Sequence, residues 1–120
     1  MCGVVGVFDR TGRVDPGGLE RAVGALHHRG PDGHTVWVDD TGLVGLGHSR
    51  LSVIDLHTGR QPVGSEDGRV RAVVNGEFYG YEALRRQLEE CGHVFRTQSD
   101  SEILVHLYEE YGFSLSLIHI

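Results

Sequence analysis

Apolar positions along this 120-residue chain change their spacing several times, and each change predicts another secondary-structure element. The opening run over residues 4–8 is typical of a buried strand. Residues 19–26 are then apolar at helical spacing, behind an Asp15-Pro16 pair that is typical of a helix start. The first part of the chain is therefore predicted to be a strand followed by a helix that ends at Gly30-Pro31.

The middle of the chain is a series of short apolar runs that glycine and aspartate interrupt. Runs of this length, each followed by turn-forming residues, predict strands joined by tight turns. The Asp67-Gly68 pair in addition predicts a hairpin turn. The predicted strands are residues 35–38, 43–47, 51–54 and 70–74.

Two further helices are predicted towards the C-terminus. Residues 81–91 are apolar at helical spacing, and Gly92 predicts the end of that helix. The segment from Ser99 to Glu102 has the spacing of a capping box, in front of a second helical stretch over residues 103–111. Hairpin strands packed under helices are typical of an α+β fold.

The composition is that of a globular protein, and it argues against several function classes. Hydrophobic residues make up 39% of the chain and charged residues 23%, close to the average of soluble domains. The net charge is −6 and no basic run occurs, so nucleic acid is not expected as a partner. No apolar run approaches the ~20 residues that a membrane span needs, and two cysteines without a signal peptide predict a cytoplasmic protein with free thiols.

The last eight residues, FSLSLIHI, differ from the rest of the chain because they are apolar, uncharged and end abruptly. A native surface terminus is usually more polar, and an exposed segment of this kind would favour aggregation. We therefore expect a partial, truncated domain over residues 1–112 and an atypical, non-native tail over residues 113–120.

Cys2 stands directly behind Met1 in a chain with only two cysteines. Removal of Met1 would make Cys2 the N-terminal residue, and a free α-amino group titrates close to neutral pH. The amine could then accept the thiol proton, which is the arrangement of an N-terminal nucleophile. The alternative is a small second residue without a chemical role, and Cys2 alone does not decide between the two.

Four separated motifs follow in order: HHRGPDG at 27–33, LGHSRLSVIDL at 46–56, VVNGEFYGYEALRRQLE at 73–89 and TQSDSEILVHLYEEYG at 97–112. Together with the initial MCG, they resemble the glutamine-hydrolysing domain of class II glutamine amidotransferases, most of all that of the asparagine synthetases. The resemblance implies an N-terminal-nucleophile hydrolase fold, a four-layer αββα sandwich with two antiparallel sheets between helical layers. Only part of that sandwich would lie in this chain.

The resemblance also implies a catalytic arrangement. Cys2 would attack the side-chain amide of glutamine, and Asn75 and Gly76 match the oxyanion hole of the family. An amide NH₂ and a glycine backbone N–H are suitable donors for an oxyanion, and glycine lets the backbone approach closely. Without the other motifs, the Asn75-Gly76 pair would be interpreted as a type I′ turn.

The remainder of glutamine would be bound by residues that match the family's substrate pocket. Arg50 matches the carboxylate-binding arginine, since a guanidinium binds a carboxylate bidentately. Asp100 matches the acidic residue that binds the ammonium group, and Glu77 matches a neighbouring pocket residue. Val53 and Ile54 would shape the pocket. The alternatives are a surface ion pair for Arg50, helix capping for Asp100 and strand core for the two aliphatic residues.

The function that the resemblance implies is glutamine hydrolysis that supplies ammonia for the ATP-dependent conversion of aspartate to asparagine. L-Glutamine would bind to this chain, while ATP and magnesium would bind to a synthetase domain that the chain does not contain, in a full-length protein expected to be a homodimer. Two alternatives stay open. One is the glutaminase portion of a class II amidotransferase with another ammonia acceptor, and the other is a catalytically inert fragment.

No metal or cofactor site is expected in this chain itself. Glu102 and His106 are four residues apart, but no Cys–His cluster has the spacing of a zinc site. The other candidates for chemistry are expected to be structural. His48 would be a structural histidine with its hydrogen bonds satisfied, Cys91 a buried structural thiol on the apolar face of the second helix, and residues 29–32 would support the pocket. Gly80 stands where relatives commonly have asparagine.

Overall fold

The computed structural model describes residues 1–10, 12–52 and 60–119. Along these residues, one strand and one helix are followed by four strands and then by two helices, an α+β arrangement of the kind that the hydrophobic pattern predicts. In chain order the elements are β1 (Gly3–Phe8), α1 (Pro16–Ala25), β2 (Gly33–Val38), β3 (Val44–Arg50), β4 (Val63–Gly64), β5 (Arg71–Ala72), α2 (Tyr81–Glu90) and α3 (Ile103–Tyr111). Two 3₁₀-helices, Asp100–Glu102 and Gly112–His119, lie before and after α3.

The first three strands form an antiparallel sheet in the order β1-β3-β2, with β3 in the centre. Gly3 pairs with Ser49 across β1 and β3, and Gly33 pairs with Arg50 across β2 and β3. This register places residue 2 beside the C-terminal end of the central strand. The strands β4 and β5 form a separate antiparallel pair.

Helix α1 covers one face of the three-stranded sheet, and glycines in β3 allow its close approach. A Cβ atom added to Gly47 would lie 2.3 Å from Cγ2 of Val23, and one added to Gly45 would lie 3.1 Å from Cδ2 of Leu19. Val23 and Leu19 are both buried in this layer. The small residues of β3 thus set the distance between the helix and the sheet.

The predicted cap of α1 is confirmed, whereas its predicted end is not. The Asp15 carboxylate accepts hydrogen bonds from the backbone N–H groups of Gly17 and Gly18 at 3.0 and 2.9 Å, which satisfies donors that have no partner inside the helix. The helix ends at Ala25, and successive turns continue the chain to Gly30. The prediction places the end of the helix at Gly30-Pro31 because the chain continues in turns after Ala25, and these turns contain no glycine or proline before residue 30.

The opposite face of the sheet is largely apolar and partly open. Because strand side chains alternate between faces and the glycines of β3 face α1, Leu46 and His48 point to the other side. Val4 pairs with His48 and shares that face, and it is 42% exposed, while Phe8 is 68% exposed. The Arg71 guanidinium lies 5.2 Å from the ring centre of Trp37 and covers one corner of this face.

The Ser99–Glu102 segment begins a helical stretch, but it is not a capping box. The Ser99 hydroxyl caps the 3₁₀-helix by accepting from the backbone N–H of Ser101 at 3.3 Å. The Glu102 carboxylate does not return to Ser99. It accepts from the backbone N–H groups of Arg96 and Thr97, both at 2.7 Å, and is almost fully buried. Glu102 therefore secures the preceding loop to the start of α3.

The strand predictions are right for β1, β2 and β3 and too long for β5. Of the predicted strand over 51–54, residues 51 and 52 are not in a strand, and residues 53 and 54 lie outside the described part. Of the predicted strand over 70–74, only Arg71–Ala72 is in a strand, although the Val70 carbonyl also accepts from the Ser65 backbone N–H. The reason is that the backbone of Val74 binds the side chain of Gln61 instead of a strand.

Helix α2 is confirmed, but the expectation of a buried thiol at Cys91 is wrong. Cys91 is the C-terminal cap of α2 and is exposed, while Leu88 is the buried residue of the last turn. Gly92 follows with a φ of 100°, which suits glycine. At the other end, Gly80 has a φ of 69°, a conformation that asparagine also tolerates better than most residues.

The four-layer sandwich, the domain boundary at residue 112 and the non-native tail stay predictions. The structure describes a 3₁₀-helix over Gly112–His119. No helix among the described residues is long and apolar enough to cross a membrane.

Candidate active site

Most of the residues that the sequence assigns to a glutamine site lie around one cleft. It has a volume of about 390 Å³ and is bounded by the N-terminus, the end of β3, the loop after β5 and the 3₁₀-helix before α3. The predicted residues that line it are Cys2, Arg50, Asn75, Gly76, Glu77 and Asp100. Val53 and Ile54 lie outside the described residues.

Cys2 is held at the edge of the sheet by contacts of its backbone and its sulfur. Leu51 donates its backbone N–H to the Cys2 Sγ at 3.3 Å, and Sγ lies 3.6 Å from the carbonyl oxygen of the same residue. The Arg29 Nε donates to the Cys2 carbonyl oxygen at 3.1 Å. The thiol is therefore fixed beside the last residues of β3 and remains partly accessible from the cleft.

The loop after α1 supports this end of the sheet. A Cβ atom on Gly30 would lie 2.3 Å from the carbonyl oxygen of Ser49, so only glycine permits the observed packing. The Ser49 hydroxyl is 2.9 Å from the Gly30 carbonyl oxygen, and the Asp32 carboxylate accepts from the Ser52 backbone N–H at 2.7 Å. These contacts agree with the supporting role expected for residues 29–32.

The segment that carries Asn75 and Gly76 is anchored by Gln61. The Gln61 side chain donates from Nε2 to the Val74 carbonyl oxygen at 3.2 Å, and its Oε1 accepts from the Val74 N–H. Gln61 is itself only 8% exposed, and its carbonyl oxygen accepts from the Thr35 hydroxyl on β2. The backbone is thus held immediately before Asn75, while Asn75 and Gly76 are exposed to the cleft.

Asp100 connects the other wall of the cleft to the same segment. Its Oδ2 accepts from the backbone N–H of Phe78 at 2.8 Å, and the residue is 5% exposed. Ser99, and not Asp100, provides the side-chain cap of the 3₁₀-helix. Helix capping therefore does not explain the position of the Asp100 carboxylate, which borders the cleft together with Glu77.

His48 lies in the wall of the cleft and is almost fully buried. Burial lowers the pKa of His48 below its ordinary value, the positive charge of Arg50 lowers it further, and a hydrogen bond with the Val74 backbone acts in the opposite direction. The Nε2 atom of His48 has no hydrogen-bond partner within the described part of the chain. A neutral imidazole beside Arg50 avoids placing a second positive charge in this wall.

The sequence of this chain matches the model of one protein family over residues 1–118, described as a glutamine amidotransferase domain. The chain belongs to this family.

Similar proteins include two glutamine-hydrolysing asparagine synthetases and an amidase. The chain is 40% identical to asparagine synthetase [glutamine-hydrolyzing] 2 of Bacillus subtilis over 93% of the chain and 15% of that protein. It is 43% identical to asparagine synthetase [glutamine-hydrolyzing] of Sandersonia aurantiaca over 95% of the chain and 21% of that protein. It is 47% identical to amidase chry2 of Gibberella zeae over 80% of the chain and 14% of that protein. The chain thus spans about a fifth or less of the length of these relatives.

In this glutamine amidotransferase domain, the cleft combines groups suited to acyl transfer. The Cys2 thiol, the Asn75 side-chain amide and the Gly76 backbone N–H border the same cleft, and acyl transfer needs groups of these kinds as nucleophile and as oxyanion donors. Arg50 supplies a positive group, and Glu77 and Asp100 supply negative ones. A small zwitterion such as an amino acid has matching charges.

Gln61 is the residue of this amidotransferase domain that the sequence pattern does not reveal. Its role depends on a contact with Val74, 13 residues further along the chain. No periodicity or motif marks such a contact, because a glutamine in a loop is unremarkable in composition. Its burial and its two hydrogen bonds to one peptide unit become visible only in the fold.

Proposed function

We propose that this domain hydrolyses L-glutamine with Cys2 as nucleophile. The observation that supports this most strongly is that Cys2 lines one cleft with Asn75, Gly76, Arg50 and Asp100, although these residues are far apart in sequence. Membership of the glutamine amidotransferase domain family supports the same substrate. Removal of Met1, which also borders the cleft, would free the α-amino group of Cys2 as the base.

The proposed reaction begins with transfer of the Cys2 thiol proton to its own α-amino group. The thiolate attacks the side-chain amide carbon of glutamine, and the carbonyl oxygen becomes an oxyanion that Asn75 and Gly76 stabilise by hydrogen bonds. Each such donor lowers a barrier by roughly 3–4 kcal/mol in comparable enzymes. The α-ammonium group then gives its proton to the leaving nitrogen, ammonia departs, and water hydrolyses the thioester to glutamate and the free thiol.

The ends of the substrate would be fixed by charge. Arg50 would bind the α-carboxylate, and Asp100 and Glu77 would bind the α-ammonium group. Asp100 accepts from the Phe78 N–H with Oδ2 and from the Ser101 hydroxyl with Oδ1, and a carboxylate oxygen can accept more than one hydrogen bond. The hydrogen bond between Asp100 and Phe78 would thereby connect the ammonium-binding carboxylate to the segment that carries Asn75 and Gly76.

We further propose that the ammonia serves the ATP-dependent conversion of aspartate to asparagine in a longer protein. This rests on the names and identities of the asparagine synthetase relatives. ATP and magnesium would bind to a synthetase domain, and the protein would act as a cytoplasmic homodimer. The open apolar face around Phe8 would be covered by the second sheet of a four-layer sandwich.

A different ammonia acceptor is the second candidate. The specific observation in its favour is the 47% identity to amidase chry2, which exceeds the identity to the asparagine synthetase relatives cited above. The glutaminase half-reaction is the same in both candidates. Ammonia-dependent synthesis assays with aspartate and with other acceptors, on the longer protein, would distinguish them.

The glutaminase proposal can be tested on this chain with 6-diazo-5-oxo-norleucine, an electrophile that mimics glutamine. We expect intact mass spectrometry to show loss of Met1 and one adduct, located at Cys2 by peptide mapping. Cys2→Ala should abolish the adduct, whereas the matched variant Cys91→Ala, which removes the other exposed thiol, should leave it unchanged. Adducts on both cysteines would contradict a specific glutamine-binding site at Cys2. So would the absence of any adduct in a protein that retains Met1.

A further inference from the structure

A second group of ionisable side chains lies away from the glutamine cleft, between the β4–β5 turn and α3. Glu66 comes from the turn, His93 follows α2, and His106 and Glu109 lie on one face of α3. One ligand atom from each of these four residues lies within 4.8 Å of the other three. Three distant segments of the chain thus place two imidazoles and two carboxylates around one point.

Four nitrogen–oxygen distances in this cluster are close to the ligand–ligand distances of a tetrahedral metal site. The Nδ1 atom of His106 is 3.2 Å from Glu66 Oε2 and 3.2 Å from Glu109 Oε2. The Nδ1 atom of His93 is 3.5 Å from Oε1, the other carboxylate oxygen of Glu66, and 3.4 Å from Glu109 Oε2. A tetrahedron with zinc–ligand bonds of 2.0–2.1 Å has ligand–ligand edges of about 3.3–3.4 Å.

The imidazoles are oriented so that Nδ1 faces the centre of the cluster and Nε2 faces outwards. His93 Nε2 is hydrogen-bonded to Glu110 Oε1 at 2.8 Å. His106 Nε2 is 3.6 Å from Glu102 Oε1, which is too long for a hydrogen bond, and has no hydrogen-bond partner among the described residues. Metal-bound histidines usually donate the outer N–H to a carboxylate or carbonyl, which fixes the tautomer and orientation of the ring.

Burial indicates that this cluster needs a further partner. The His106 side chain is fully buried, and that of His93 is 11% exposed. His93 Nδ1 and Glu66 Oε2 face the centre as buried atoms, and neither has a hydrogen-bond partner within the described residues. Buried polar atoms are rarely left in this state, and a bound metal ion would give both of these atoms a partner. A cation would also offset the excess of carboxylates around two imidazoles.

We propose that Glu66, His93, His106 and Glu109 bind a zinc ion. Two imidazole nitrogens and two carboxylate oxygens in a tetrahedron suit zinc, and four protein ligands leave no open position for a substrate. The site is therefore structural. It joins the β4–β5 turn to α3, whose preceding 3₁₀-helix carries Asp100 at the glutamine cleft.

The sequence pattern alone predicts no metal site, because no cluster of cysteines and histidines has the spacing of zinc ligands. The pair of possible ligands four residues apart that the sequence shows is Glu102 and His106. In the structure the Glu102 carboxylate is already bound to the backbone of residues 96–97 and faces the outer nitrogen of His106. The proposed ligands lie on three segments. Only the i, i+3 pair His106 and Glu109 is local enough for a sequence pattern to show.

The test is metal binding by the Cys2→Ala/Cys91→Ala variant, in which no thiol competes for the ion. The metal-free protein, prepared with a chelator, is titrated with zinc chloride and, separately, with cobalt chloride. We expect one zinc per chain by elemental analysis after dialysis, a rise in the unfolding temperature with zinc, and the intense visible absorption of four-coordinate cobalt.

Three single variants in that background locate the site. Glu110→Gln removes an outer carboxylate and should weaken zinc binding by about 10–100-fold. His93→Gln removes a ligand and should weaken binding more than Glu110→Gln does. His34→Gln is the matched control, because His34 forms an exposed pair with Glu20 at 3.4 Å outside the cluster, and it should bind zinc as the parent does.

Circular dichroism would confirm that each metal-free variant is folded, and Glu109→Gln would replace His93→Gln if the latter were not. The proposal is overturned if the folded parent binds no stoichiometric zinc. It is also overturned if the ligand variants retain the affinity of the parent, or if cobalt binds with the weak absorption of a six-coordinate ion. The adduct experiment at Cys2 does not depend on the metal, so the two proposals can fail separately.

Discussion

Replacing Gln61 by leucine should loosen the segment that presents Asn75 and Gly76 to the cleft. Leucine has a similar size but lacks the side-chain amide, whose Nε2 and Oε1 atoms bind the Val74 backbone. The Val74 N–H and carbonyl then lose their hydrogen bonds to Gln61, and a buried polar group left unpaired costs about 1–3 kcal/mol. Because Val74 is only half-buried, water can replace part of the loss, and we expect about 2 kcal/mol in total.

The effect on chemistry should exceed the effect on stability. A misplacement of about 1 Å in a catalytic group can reduce a rate by about 10²-fold, and Gln61 holds the residue directly before the proposed oxyanion donors. We therefore expect Gln61→Leu to reduce the limiting rate of Cys2 alkylation by 6-diazo-5-oxo-norleucine, with little change in the half-saturating concentration. Gln61 would then act as a positioning residue.

The measurement combines alkylation kinetics, by intact mass, with urea unfolding of the same samples. Gln87→Leu is the matched control, since it makes the same substitution at an exposed position of α2. If Gln61→Leu were less stable but alkylated at the parental limiting rate, Gln61 would have only a structural role. If neither quantity changed, the hydrogen bonds to Val74 would not hold this segment.

Three further predictions concern the packing, the buried histidine and the substrate pocket. Gly47→Ala should lower the free energy of unfolding, measured in urea, by about 1–3 kcal/mol, because its Cβ would lie 2.3 Å from Val23 Cγ2. The control is Gly24→Ala in α1, whose Cβ would meet nothing within 4 Å. This control should instead raise the free energy of unfolding, because alanine favours a helix more than glycine does. The pKa of His48 is lowered in the folded state, so the unfolded chain binds more protons at a pH below the ordinary value of 6.5. The contribution of neutral His48 to the free energy of unfolding should therefore be fully present above pH 6.5 and be lost as the pH falls through the lowered pKa. The urea midpoint of His48→Gln should depend less on pH over that range, and an equal dependence would contradict this. Arg50→Lys should raise the glutamine concentration needed for half-maximal hydrolysis more than it slows the limiting rate, and an unchanged concentration dependence would count against carboxylate binding.

Local signals in the sequence predicted the elements whose ends are determined by neighbouring residues. Asp15-Pro16 marks the start of α1, and Gly92 with its positive φ marks the end of α2. Predictions failed where a distant side chain competes for the same backbone. Glu102 binds the loop before it instead of closing a capping box, and Gln61 replaces a strand neighbour at Val74.

The glutamine site and the metal cluster differ in how far the sequence could reveal them. The proposed catalytic residues lie in motifs whose order resembles a known family, so a resemblance could assign them before any fold was known. The cluster around His106 has no such motif, and its four residues come together only because the β4–β5 turn packs against α3. The sequence predicted no metal site because its histidines lack the spacing of metal ligands. Such spacing is informative only when the ligands lie in one segment of the chain. Between segments, the relevant evidence is the position and burial of the donor atoms, which the fold supplies: two Nδ1 atoms within 3.2–3.5 Å of carboxylate oxygens of Glu66 and Glu109.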